Sequence, residues 1–109
     1  MSGVIVIVAY RPRPGQEAAL DALVAEHVPT LRGAGLATGR EPVIAKAKDG
    51  TIVEVFEWTS AKAIELAHAD ETVRALWERF DAVSDFVPIG ELPEAAELFS
   101  PFVPLDPRR

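Results

Sequence analysis

The side chains able to do chemistry in this chain are few: two histidines, one tyrosine and two tryptophans among seventeen carboxylates. His68 is the candidate catalytic proton acceptor, because imidazole exchanges protons near neutrality and this one shares a predicted helix face with Ala61 and Ile64. Its bland alternative is a helix-end histidine bonded to a backbone carbonyl or to Asp70. Glu54 lies between Ile52 and Phe56 on one face of a predicted strand, where an unpaired carboxylate is costly to bury. It is either a base, or the partner of an arginine across a subunit interface, or on a face that is wet there. Trp58 ends the same strand on the same face as Ile52, Glu54 and Phe56. It can stack a flat ligand and offer its N–H, or serve as core. Tyr10 can donate to a substrate oxygen, and Arg11 and Arg13 can hold an acidic group or simply be exposed. His27 stands on the apolar stripe of the first helix beside Val24 and Leu31, as a hydrogen-bonded core or pocket-lining histidine. Trp77 and Phe80, spaced i and i+3, are chiefly core and secondarily cavity-lining.

Several other chemistries lack their pattern. The run Gly33-Ala34-Gly35-Leu36-Ala37-Thr38-Gly39 does not have the dinucleotide spacing and follows a helix instead of joining a strand to one. The two histidines have no acidic partners at a recognised ligand spacing, so no dedicated metal site is expected. With no cysteine there is no thiolate ligand, disulfide or cysteine nucleophile. Ser2, Ser60, Ser84 and Ser100 sit in no nucleophile-elbow context. A net charge of -6 does not suit a phosphate-backbone binder, and no nucleic-acid partner is expected. The amino terminus has no basic region before its apolar run, and no stretch approaches the roughly 20 apolar residues of a bilayer span. A soluble, cytoplasmic protein without a membrane partner is the expectation.

Those candidates need elements to hold them. Val4 to Val8 is β-branched throughout and does not alternate with polar residues, which predicts a strand, continuing to Tyr10, buried on both faces. Pro12 and Pro14 end it. From Gln16, residues Leu20, Leu23, Val24, His27 and Leu31 follow helical spacing, with a kink or restart expected at Pro29 and a stop at Gly33 and Gly35. Pro42 to Lys48 and Thr51 to Trp58 predict two strands joined at Asp49-Gly50 by a type I′ turn, which would set Ala45 opposite Glu54 and Val43 opposite Phe56. Thr59-Ser60 caps a short helix to about His68. Asp70 caps another to about Val83, carrying Val73, Leu76, Trp77, Phe80 and Val83 on one stripe. Phe86 to Leu92 predicts a last strand, at an edge or bulged because of Pro88.

The order strand, helix, strand, strand, helix, strand predicts an α+β, ferredoxin-like split β-α-β-β-α-β fold with an antiparallel sheet over residues 1–92. Residues 93–109 form an apolar tail punctuated by Pro93, Pro101, Pro104 and Pro107, expected to strap a dimer partner. Of 109 residues 49% are hydrophobic. In this architecture the helices cover one face of the sheet, yet the first strand offers apolar groups to both. A second copy covering the other face, in a two-fold homodimer, is the expected solution.

Tyr10-Arg11-Pro12-Arg13-Pro14-Gly15 after the first strand, the Asp49-Gly50 hairpin, Val55-Phe56-Glu57-Trp58-Thr59-Ser60, Ala67-His68-Ala69-Asp70 and Leu76-Trp77-Glu78-Arg79-Phe80 together resemble the antibiotic biosynthesis monooxygenase-like domain. The resemblance spans roughly residues 3 to 92. It implies a dimeric α+β barrel of two sheets packed face to face, with a small-molecule cavity between sheet and helices. It also implies cofactor-independent monooxygenation of an aromatic, quinol-like compound, with no cofactor and no metal. His68 would then accept the proton, Trp58 and Tyr10 would orient the substrate, and Glu54, Phe56, Trp77, Phe80 and His27 would complete the substrate site. The alternative is a small-molecule-binding dimer of the same fold without chemistry. The haem-degrading branch of that family uses an asparagine, a tryptophan and an axial histidine. The corresponding positions here are Val8, His68 and Trp77 or Glu78, so that branch is disfavoured.

Overall fold

Alternation along the first strand decides which way the sheet faces. In the computed structural model, which describes residues 3–105, β1 (Val4–Pro12) points Val4, Val6, Val8 and Tyr10 at the helices and Ile5, Ile7 and Ala9 to the opposite side. The other elements are α1 (Glu17–Gly33), β2 (Val43–Lys46), β3 (Ile52–Trp58), α2 (Ala61–Ala69), α3 (Glu71–Val83), β4 (Ser84–Val87) and a two-residue β5 (Val103–Pro104). The sheet order is β4-β1-β3-β2-β5, with every pairing antiparallel. Its first four positions are consistent with the expected ferredoxin-like α+β arrangement. No helix among the described residues is long and apolar enough to cross a membrane.

Local chemistry explains most boundaries. Gly35, at φ +76°, lets the Leu36 N–H turn back to the Leu31 carbonyl (2.9 Å) and closes α1. Pro29 lies within α1 without ending it; the missing N–H withdraws at most one helix bond. Ser60 and Asp70 cap α2 and α3 through the N–H groups of Ala63 and Val73. Between β1, β3 and the helices lie two core clusters, one with Leu31, Phe56, Trp58 and Val73 and the other with Leu20, Val24 and Phe80, bridged by the half-buried Val8 and Trp77.

Three expectations change. The hairpin register is one residue off: Ala45 faces Val53 and Val43 faces Val55, while Glu54 lies opposite Ile44 and Val8. The loop has three residues, Lys48 to Gly50, because only Gly50 takes positive φ (+92°). Asp49 instead accepts the Thr51 N–H at 2.8 Å. The last strand ends at Val87, since Pro88 has no N–H to continue the ladder, and two 3₁₀ turns follow, Ile89–Glu91 and Pro93–Ala96. Finally, the chain does carry an element able to cover part of the second sheet face. Leu92, Ala95 and Phe102 pack there with Val87 and Ile89 against Ala9, Ala47 and Val53, and Glu94 accepts the Lys48 N–H at 2.8 Å. The tail thus packs on its own sheet at Ala95 and Phe102 and pairs with β2 at Val103–Pro104, while Leu98 and Phe99 between them are exposed; positions 106–109 are outside the described residues. The rest of that face stays open, with Ile5 56% and Ile7 53% exposed instead of buried on both sides, and Val43 63% exposed.

Candidate functional site

Three polar side chains point into the core from three elements. Tyr10 ends the inward row of β1, Glu54 occupies the inward row of β3, and His27 faces the sheet from the middle of α1. Their exposures are 1%, 0% and 3%. Groups so placed must satisfy one another, and all but one of their polar atoms do. The Tyr10 hydroxyl donates to Glu54 Oε1 at 2.7 Å. His27 Nδ1 lies 2.8 Å from the same oxygen and 3.2 Å from the Tyr10 hydroxyl.

The state of the histidine follows from its other neighbour. Trp77 Nε1 stands 3.0 Å from His27 Nε2. An indole N–H can only donate, so Nε2 accepts and the ring proton sits on Nδ1, donating to Glu54. The His27–Glu54 contact is therefore a neutral imidazole on a carboxylate oxygen, not an ion pair, although its distance would satisfy one. Among the described residues, no lysine or arginine pairs with Glu54. Its second oxygen, Oε2, is buried and has no hydrogen-bond partner.

Aromatic rings enclose this cluster. Tyr10 stacks on Phe80 (4.9 Å between ring centres) and meets Phe86 edge-on at 5.1 Å. His27 is edge-on to Phe56 and to Phe80, each at 5.3 Å. Burial, the Glu54 charge and the hydrogen bond to Glu54 together push the Tyr10 phenol well above its ordinary range. Tyr10 is thus a fixed donor and not a base. In this arrangement the one acceptor position left open to a proton is Glu54 Oε2.

The structure brings together Tyr10, His27, Glu54 and Trp77, with Phe56 and Phe80 around them, and leaves two expected members outside. Trp58 is buried against Phe56 at 5.2 Å, as a core residue one ring removed from the cluster. His68 is exposed, edge-on to Trp77 at 5.1 Å, and makes no contact with Glu54 or Tyr10. The reason is the facing of α2, which packs through Ala63 and Ala67 and so turns His68 outward. His68 therefore stands apart from the buried His27–Glu54 pair. Arg11 and Arg13 are occupied near the surface, Arg11 by Asp49 and Glu91 (3.8 and 3.7 Å) and Arg13 by Asp85 (3.2 Å).

The pairing of His27 with Glu54 is what sequence reading missed. The available signal was that both are titratable residues on inward-facing rows of one small core. Two grooves open elsewhere. One of about 410 Å³ runs between α1 and α3, lined by Glu26, Thr30, Glu71, Leu76 and Arg79 among others. The other, of about 520 Å³, lies on the outer sheet face beside Ile7, Val43, Val55 and Phe102. Neither is lined by the cluster. Among the described residues no group of three or more His, Asp or Glu side chains is placed to hold a metal ion. Comparison of the chain with known protein families, with characterised proteins and with solved structures returns no match.

Proposed function

We propose that this chain is a homodimeric small-molecule enzyme that begins its chemistry by taking a proton inside a dry, ring-lined core. Glu54 is the base, through Oε2; His27 and Tyr10 hold its other oxygen, and Trp77 holds His27. One observation carries this reading: a fully buried carboxylate has two donors converging on one oxygen and none on the other. A purely structural core gains nothing from such a group, since apolar residues of similar volume serve as well or better. A base needs a free lone pair in a site that excludes water.

The substrate class follows from the rings and from the family resemblance: an aromatic, quinol-like compound, oxidised by O2 without a cofactor. Proton loss to Oε2 leaves an electron-rich anion that can pass electrons to O2. For an activated CH2 group, one oxygen atom becomes the new carbonyl and the other leaves as water with the two hydrogens. The open apolar part of the sheet face, at Ile5, Ile7 and Val43, receives the second copy.

Oxygen consumption over a panel of hydroquinones and anthrones tests this. Glu54→Gln loses about 10²- to 10⁴-fold of the wild-type rate, the contribution of a positioned base. His68→Ala keeps it. Equal turnover by wild type and Glu54→Gln would overturn the assignment. The closure of Tyr10, His27 and Glu54 to solvent favours a second reading, a binding domain without chemistry. In that case the same compounds raise the thermal midpoint and no oxygen is consumed.

A further inference from the structure

We infer that Leu98 and Phe99 of one copy seat in the apolar groove on the outer sheet face of a second copy, so that each protomer both gives and receives a two-residue plug. This rests on the homodimer reading and names the side chains that hold the two copies together. Leu98 and Phe99 stand where large apolar groups seldom do. The chain bends tightly through them, and the Ser100 N–H closes the bend on the Glu97 carbonyl at 3.3 Å. Such places favour Gly, Pro, Asn, Asp and Ser. Here the two residues are 93% and 89% exposed, while Ala95 and Phe102 to either side pack on the chain's own sheet. The bend is also held in shape. Ser100 takes positive φ (+42°), uncommon for a residue other than glycine, and its hydroxyl is shared between the Ala95 and Glu97 carbonyls at 3.3 and 3.2 Å.

The receiving surface is on the same chain. The groove beside Ile7, Val43, Val55 and Phe102 holds about 520 Å³, within the roughly 300–1,000 Å³ that seats a compact organic group. Ala95 and Ser100, which flank the bend, also line it. The plug thus stands beside its own groove without entering it. A two-fold axis there brings each plug over the other copy's groove, and the contact closes as a dimer instead of propagating. Buried area shows that the plug is needed. At on the order of 150–200 Å² per large apolar side chain, the exposed parts of Ile5, Ile7 and Val43 amount to about 300 Å² per copy. Leu98 and Phe99 supply about as much again. A specific interface takes about 800 Å² per partner, so the open face alone falls well short and the plug brings the apolar share to about three quarters of it.

The chain has no cysteine, so introduced thiols report contacts without background. Leu98→Cys and Val43→Cys are made as separate full-length proteins, mixed and oxidised; a disulfide between them can only join two copies. The expected result is a mixed dimer on a non-reducing gel, well above the yield when Val43→Cys is mixed with Leu66→Cys, a half-exposed position on α2. Sedimentation equilibrium supplies the second arm. Leu98→Ser combined with Phe99→Ser weakens the dimer about 10²- to 10³-fold in Kd, because two plugs are lost per dimer. Its far-ultraviolet spectrum stays that of the wild type, since both side chains lie outside the core. A dimer undiminished by the two serines, or a cross-link no stronger than the Leu66 control, overturns the plug and leaves the homodimer standing. Wild-type protein that is monomeric at micromolar concentration, whether its groove stays empty or takes an apolar dye, overturns both. A plugged dimer that consumes no oxygen refutes the enzyme reading alone.

Discussion

Removing a single oxygen atom probes the centre of the cluster. Tyr10→Phe deletes the hydroxyl that donates to Glu54 Oε1 at 2.7 Å and leaves the ring in its stack on Phe80 and against Phe86. A hydrogen bond to a buried charged group contributes about 1.5–3 kcal/mol, and Glu54 is left with one donor instead of two. The expected loss is about 2–3 kcal/mol at neutral pH, or roughly 10 °C in midpoint for a domain of this size. Urea unfolding followed by the fluorescence of Trp58 and Trp77 measures it. The pH dependence is the sharper part. The unfolded chain ionises its tyrosine near pH 10 and the folded chain only well above that. In the interval between, the unfolded state binds fewer protons, so stability falls as pH rises; below about pH 10 the contribution is complete. Tyr10→Phe lacks the group and lacks that slope, so the gap between the two proteins narrows above about pH 10. Tyr10 is the only tyrosine, and tyrosinate absorbance reports it alone. A difference under about 0.5 kcal/mol at neutral pH, or a gap that does not change through the alkaline range, would refute the buried phenol–carboxylate bond.

Two further outcomes check the scaffold and its assembly. Asp70→Ala removes the oxygen that accepts the Val73 N–H at 3.0 Å and costs about 1 kcal/mol in urea unfolding; an unchanged midpoint would show that the cap is not formed. Ile7→Lys places a charge in the open apolar part of the sheet face and yields a monomer by light scattering at concentrations where the wild type is a dimer. Wild-type protein already monomeric at micromolar concentration would remove the dimer from the proposal.

Strong local patterns made much of the fold legible. The β-branched run of β1, the stripe of α1 and the caps at Ser60 and Asp70 each follow from neighbours a few residues away. The hairpin shows where such reading stops. Asp49-Gly50 marks the turn, but whether two residues or three form it depends on where the Asp49 carboxylate bonds. The Thr51 N–H that it accepts also holds that carboxyl below the ordinary aspartate range. The cluster was legible residue by residue and not as a cluster. His27 and Trp77 carried a place on an apolar helix stripe, while Glu54 was left between a base, an interface partner and a wet face; the meeting of these with Tyr10 is a matter of how α1 and α3 seat on the sheet, which no local period encodes. The outward facing of His68 was hidden for a related reason: in a nine-residue helix two faces can each show a plausible pattern, and the small residues Ala63 and Ala67 decided which one packs.

The short pairing of Val103–Pro104 with β2 has an effect out of proportion to its length. A hairpin's outer strand normally presents a ladder of free N–H and C=O groups to which a foreign strand can add. Here the tail occupies part of that ladder, with the Leu105 N–H on the Ile44 carbonyl at 2.9 Å, and Pro104 brings no N–H of its own to the new rim. The opposite rim is β4, four residues long and followed at once by Pro88. Both margins of the sheet are therefore poor templates for strand addition. Fibrillar growth along the sheet has little place to begin.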